Sequence, residues 1–366
     1  MNEVSERSEK VGLLPLFWEW FKIALFVVGG GYAIIVVADE VFGRKRGWLR
    51  EGELLEYLPV ISSIPGLIAG NSAIYVGLKT RGRLGAVVAL AGVALPSILI
   101  FLGVSVGFAA VPKDNVWIDG AFLGLRSALS GVIAGTIWRA LFKSRADWSN
   151  GTGIRLAPLS WKTRLLGCAV FVASLAVAGT FAWESLVSFL KFGCIAIGGG
   201  FPLVPFYFHT FAGADAALLK MTPEDFSNLM ALTQMTPGPV SLNAATFFGY
   251  SLNGVFGSVV ASAALLVPSY FMLSAVLSGL DRCRDNPIIR ILLALLKPVS
   301  VTLMAIALWK FCSLSVWSFA GDGGFVFRPF AAALAVFVAM MFVKRKMSIM
   351  ALIFLCAILG AASAAV

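Results

Sequence analysis

Leu232–Ser258 reads LTQMTPGPVSLNAATFFGYSLNGVFGS, a run apolar enough for a bilayer interior yet broken in its middle by Pro237-Gly238-Pro239. A second version lies upstream at Val60–Ala86, VISSIPGLIAGNSAIYVGLKTRGRLGA. At an offset of 172 the two share Pro65/Pro237, Gly66/Gly238, Asn71/Asn243, Ala73/Ala245, Gly77/Gly249, Gly82/Gly254 and Gly85/Gly257. So many identities in one register mark a duplication rather than chance.

The surrounding chain has the composition of an integral membrane protein. Of its 366 residues 59% are hydrophobic and only 13% charged, with a mean hydropathy of +0.89; a soluble domain carries about 25% charge. Apolar stretches lie near 16–38, 54–78, 85–110, 118–142, 164–182, 185–208, 226–250, 255–279, 288–311, 327–343 and 347–366, with polar loops between them. The fold class this implies is an all-α polytopic membrane protein. The formal charge of +10 sits mostly in short loops, where membrane orientation explains it, so no nucleic-acid partner is expected. Cys168, Cys194, Cys283, Cys312 and Cys356 show neither CxxC nor Cys/His spacing, so neither a disulfide framework nor a metal is expected. The N-terminus, MNEVSERSEKVG, mixes charge signs and has no apolar signal core.

The duplication extends beyond the opening motif. Gly29-Gly30-Gly31 matches Gly198-Gly199-Gly200 at an offset of 169, with Lys22 and Lys191 in front, and Pro96-Ser97 matches Pro268-Ser269 at 172. Near the end of each half Arg126 matches Lys297, and Trp138 matches Trp309. The expected organisation is an N-terminal cytoplasmic segment 1–15, a first membrane repeat 16–142 and a cytoplasmic linker 143–164. A connecting transmembrane helix 165–184, a second repeat 185–311 and C-terminal transmembrane helices 312–366 follow. Arg44, Lys45, Arg46 and Arg50 make one loop of the first copy basic, and Lys79, Arg81 and Arg83 the next. The matching loops of the second copy carry only Lys220 between them, so loop charge points to two inverted-topology repeats. Placing every strongly basic loop in the cytoplasm requires the Gly-triplet and Pro-Gly segments to be broken, re-entrant hairpins. This suits Gly and Pro, which permit unusual backbone angles and stop helices. The expected setting is the plasma (inner) membrane, with the N-terminus cytoplasmic.

A helix that restarts after Pro-Gly offers free N–H groups and a positive dipole end, both of which favour an anion. The candidate binding residues are therefore Ser63, Pro65, Gly66 and Asn71 in the first copy and Gln234, Thr236, Pro237, Gly238, Pro239 and Asn243 in the second. Gly29, Gly30, Gly31, Gly198, Gly199 and Gly200 join them as possible N–H nests. Arg126 and Lys297, cations beside apolar runs, complete the set. Packing is the competing reading: Pro-Gly kinks a helix, glycines allow close contact, and long cations snorkel. Glu40 and His209, which meet at the 169 offset, are candidates for proton coupling. No catalytic constellation, nucleotide motif or cofactor site appears, so an enzyme is not expected.

In these residues the chain resembles the chromate ion transporter family. The first half reads FKIALFVVGGGYAIIVVADEVFGRKRGWL, and the second FLKFGCIAIGGGFPLVPFYFH followed by MTPGPVSLNAATFFGY. The match, over roughly 16–311, is to the long, two-domain form, and it implies inverted halves and export of a small inorganic oxyanion, chromate, across the lipid bilayer. Pro65-Gly66-Leu67 departs from the family's second proline, and His209 stands where an acidic residue is expected. Alternatives left open are another anion, sulfate-like or a lipid-linked phosphate, and a non-transporting membrane scaffold. The sequence permits a homo-oligomer without specifying one.

Overall fold

A computed structural model describes residues 11–27, 31–109, 115–142, 183–196, 200–213, 216, 218–283, 301–309, 311–313, 327–342 and 349–364. The expected linker 143–164, nearly all of the connecting helix 165–184, and Lys297 lie outside them. The described residues are overwhelmingly helical, with one isolated β-bridge between Ala212 and Met221. The first half comprises α1 (Leu13–Phe26), α2 (Gly31–Asp39) running into a π turn (Glu40–Lys45), α3 (Glu53–Glu56), α4 (Leu58–Ser63), α5 (Ile68–Ala109) and α6 (Val116–Phe142). Then come α7 (Trp183–Ile195), α8 (Val204–Phe211), α9 (Pro223–Met235), α10 (Val240–Cys283), α11 (Phe327–Phe342) and α12 (Ile349–Ala364).

Stretches within α5, α6 and α10 are long and apolar enough to cross a membrane. Straight, α5 and α10 would each measure about 60 Å or more, twice a hydrocarbon core of ~30 Å. Each instead reverses at a non-helical pair, Arg81-Gly82 in α5 (Gly82 φ 64°, ψ −150°) and Asn253-Gly254 in α10 (Gly254 φ 60°, ψ −149°). Only glycine adopts that backbone readily. The two arms then press together through glycine: a Cβ on Gly77 would strike the Ala86 backbone, and one on Gly249 the Gly257 carbonyl. Each long element is thus a short arm (68–80, 240–252) and a long arm (83–109, 255–283), the long arms containing Pro96 and Pro268.

The Pro-Gly breaks are also reversals. Asn71 lies one turn into α5, yet its amide reaches back to the Ile61 and Ile64 carbonyls of the incoming arm (3.0 and 3.1 Å). Farther along, Tyr57 and Tyr75 are ring neighbours at 4.8 Å. In the second half Asn243 donates to the Thr233 and Pro237 carbonyls (3.2 and 3.3 Å), and Phe226 stacks on Phe248 at 6.0 Å. Contacts of this order, early with late, are those of a helical hairpin with Pro-Gly at its tip. Thr222 caps the start of α9 by accepting the Asp225 N–H (3.0 Å), and Pro223 follows at the first turn, where its missing N–H costs nothing.

The elements on either side of each Gly triplet also come back together. Trp20 of α1 meets Phe42 beyond the triplet at 5.0 Å, and Phe192 of α7 meets Tyr207 of α8 at 4.9 Å. α1 packs on α5, and α7 on α10. The two halves share their cores: Leu273 and Leu277 of α10 pack with the first half, while Leu67, just before α5, and Ala94 and Phe101 of α5 pack with the second. α11 and α12 lie against α6, where Gly124 lets the Cys356 backbone approach too closely for any side chain.

Candidate functional site

Gly66 and Gly238 sit at the two tips with φ of +132° and +106°, which side-chain-bearing residues rarely adopt. Both are buried, and each is met by a serine of the opposite half and an asparagine of its own. A Cβ on Gly66 would collide with Ser269, which follows Pro268, and with Asn71 Oδ1. A Cβ on Gly238 would collide with Ser97, which follows Pro96, and lie 3.2 Å from Asn243 Oδ1. The first tip also donates its Gly66 N–H to the Ala196 carbonyl at the end of α7 (2.5 Å). Four residues on, Gly200 packs on Val240 and Ser241 at the second tip. Ala196 therefore touches the first tip and Gly200 the second, and a chain of five residues extends at most about 18 Å.

The polar atoms here divide into occupied and unoccupied. Asn71 and Asn243 spend their amide N–H groups on carbonyls of the preceding arm, which no backbone donor satisfies once the helix ends. This sets the orientation of each amide, leaving Oδ1, an acceptor, toward the tip. The amide N–H groups of both asparagines thus tie the arms of their hairpins together. Thr236 and Thr233 likewise donate to Leu232 and Met230 carbonyls (both 2.7 Å), and Ser72 to Ile68 (2.7 Å). Left without a hydrogen-bond partner are the buried oxygens Asn71 Oδ1, Asn243 Oδ1, Gln234 Oε1, Ser97 Oγ, Ser241 Oγ and Ser269 Oγ. Buried polar atoms are ordinarily paired, so this grouping beside the tips makes them the candidate site.

Of the expected set, Pro65, Gly66 and Asn71 lie at the first tip with Ser269 beside them, and Pro237, Gly238, Pro239, Asn243 and Gly200 lie at the second with Ser97 beside them. The serine pair was visible as a Pro-Ser match between halves, but which element it faces is a tertiary fact. Gly31 begins α2, while Gly29, Gly30, Gly198, Gly199 and the Ser63 side chain lie outside what is described. Arg126 is elsewhere: its guanidinium is buried and pairs with Glu224 (2.9 Å) in the first turn of α9, at the end of that helix away from the tip. Lys22 pairs with Glu19 (2.9 Å). Glu40 pairs with Lys45 (3.1 Å) with both half exposed, and His209 is exposed in the last turn of α8.

A buried cluster that the sequence reading passed over lies at the base of the first Pro-Gly hairpin. Glu53, 3% exposed, accepts from Tyr75 Oη (2.8 Å), the Arg50 N–H (3.1 Å) and Lys79 Nζ. Asp39 accepts the Gly52 and Leu54 N–H groups (3.2 and 3.0 Å), capping the start of α3.

Comparison with known proteins gives a consistent answer. The chromate transporter family matches the chain twice, over residues 14–183 and 183–361. An uncharacterized transporter of Methanocaldococcus jannaschii is 26% identical over 358 residues, covering 86% of this chain and 88% of that protein. The chromate transport protein of Cupriavidus metallidurans is 24% identical (70% of this chain, 72% of that one), and that of Pseudomonas aeruginosa 25% (70% of each). No solved structure matches.

Proposed function

Since this chain belongs to the chromate transporter family and carries that family's domain twice, we propose that it is a secondary transporter of a tetrahedral oxyanion, chromate first among them. Transport runs by alternating access around the two Pro-Gly tips. The chain is an integral membrane protein of a transporter family; the substrate, mechanism and site are the proposal. The observation that carries it is a pair of buried tips, each beside orphaned oxygens and each abutted by a serine of the opposite half.

Hairpin dimensions support tips at membrane depth. α9 and the short arms 68–80 and 240–252 have 13 residues each, about 20 Å at 1.5 Å per residue, too short for a ~30 Å hydrocarbon core. A hairpin with such arms enters and leaves on one side, with its irregular backbone shielded by protein. Helix directions support inversion. Ser97 lies at the Gly238 tip, and Phe108, three turns on, meets Phe247 edge-on at 5.4 Å, so 83–109 and 240–252 run the same way. Because 255–283 doubles back on 240–252, the equivalent long arms 83–109 and 255–283 run in opposite directions.

Chemically, an oxyanion must exchange its water for fixed donors. The helices beginning at Ile68 and Val240 start beside the tips, so the N–H groups of Ile68, Ala69 and Gly70 and of Val240 and Ser241 have no carbonyl one turn back, whereas the Leu242 and Asn243 N–H groups already bond the Pro239 carbonyl (2.9 and 3.0 Å). Rocking of one half against the other would open the pair to each side in turn. Arg126 anchors α9 rather than contacting substrate, and Lys297 stands as the remaining cation candidate. The test is uptake of labelled chromate by everted vesicles. Saturable uptake is expected with the wild-type chain and its loss with Gly238→Val at equal membrane abundance. Uptake no greater than in vesicles lacking the protein would end the proposal.

A further inference from the structure

Ser97 and Ser269 depart from the usual behaviour of helical hydroxyls, as the buried Ser227 and Ser241 also do. Serine and threonine in apolar helices ordinarily donate to the carbonyl one turn back, as Ser72, Ser105, Ser127, Thr136 and Thr246 do here at 2.6–2.9 Å. Ser97 and Ser269, both 0% exposed, make no such bond and have no other partner. Were packing their only role, alanine would fill the same place without burying an unpaired hydroxyl. Their placement is reciprocal: each follows a mid-helix proline of one half and abuts the tip glycine of the other. The Asn Oδ1 beside each tip is an acceptor, so the hydroxyl is the one side-chain group of that pair able to donate to an anion.

We propose that Ser97 and Ser269 are binding residues for the transported oxyanion. Each donates its Oγ–H to an anion oxygen at the tip it faces, beside the first-turn amides of the following helix. Asn71 and Asn243 are positioning residues that keep those tips in shape. The site is thus two composite half-sites, each taking its helix start from one repeat and its hydroxyl from the other. This assignment rests on the transporter reading above and deepens it by naming the donors.

The test uses the full chain, purified and reconstituted in liposomes, with Ser97→Ala, Ser269→Ala and the double variant. Ser105→Ala serves as a control, because Ser105 is also buried but bonds its own helix. Flux of radiolabelled chromate is expected to show KM raised at least tenfold in each single variant and further in the double one. Ser105→Ala should retain the wild-type KM. Equilibrium binding of radiolabelled chromate to the detergent-solubilised chain should weaken in the same order, which separates anion contact from a change in the transport cycle. Wild-type KM and binding in both single variants, with a transporting wild type, overturn the assignment and leave the transporter reading standing. A wild type that binds chromate without moving it, with binding lost in the double variant, supports the assignment and overturns the transporter reading. A wild type that binds neither chromate nor sulfate overturns both.

Discussion

The two Pro-Gly hairpins are alike at their tips and unlike at their bases. At the tips both have a left-handed glycine, a buried asparagine tying the arms together and a serine from the opposite half. At the base of the first, Glu53 gathers Tyr75, Lys79 and the Arg50 N–H. In the corresponding part of the second, Phe211, Phe226 and Phe248 stack, with centroids 4.1 Å apart for Phe211–Phe248, and Tyr207 and Phe247 pack around them. At the 172 offset Tyr75 corresponds to Phe247 and Lys79 to Ser251. A duplicated domain that keeps one end and rebuilds the other shows where the shared work is done. It also makes the halves unequal: in the first hairpin charged bonds join the two arms, whereas in the second the arms meet through aromatic rings and Glu224 pairs outward with Arg126 of α6.

The likeness of the tips is broken most severely by giving either glycine a side chain. Gly66→Val and Gly238→Val should each cost about 2–5 kcal/mol, from overpacking at about 1–3 and left-handed backbone strain at roughly 1–2. Fluorescence-detected thermal melts of both variants should fall together; a fall in only one would end the equivalence. Next come the braces. Asn71→Ala and Asn243→Ala each orphan two carbonyls and, at roughly 1–3 kcal/mol per buried unsatisfied group, should cost at least about 2 kcal/mol, read as matched drops in Tm. The contrast between bases is sharpened by exchange: Tyr75→Phe deprives Glu53 of a donor, and Phe247→Tyr places a hydroxyl among rings. Each should destabilise by about 1–3 kcal/mol in melts, whereas interchangeable bases would tolerate both. Smallest is Glu224→Gln, at no more than about 1 kcal/mol because Glu224 is 67% exposed and solvent screens its pairing with Arg126.

Much of this fold is legible in the sequence because membrane insertion leaves few options. Apolar runs must be helices, and Pro-Gly or Gly triplets inside them must be breaks. The reversals at Arg81-Gly82 and Asn253-Gly254 fall in the short loops expected after 54–78 and 226–250. The site is legible by position but not by role. Asn71 and Asn243 stand out as matched polar residues, yet only the carbonyls of the incoming arm decide which way each amide faces. Arg126 reads as a membrane cation because its partner Glu224 is 98 positions away in the chain. Lys79 reads as a loop charge setting orientation, and nothing local in Glu53 announces that the two meet. Such pairings depend on which helix packs on which, and periodicity does not carry that information.

The reciprocal contact between tip glycine and opposite serine also bears on how the protein is made. Pro65-Gly66 leaves the ribosome about two hundred residues before Ser269, on the order of 10–40 s at roughly 5–20 residues per second. Throughout that interval the first hairpin lacks its docking surface, whereas Ser97 is already in place when Gly238 arrives. The second tip can settle as it is synthesised, while the first must wait, so the amino-terminal half is the one exposed to membrane chaperones and proteases during biogenesis.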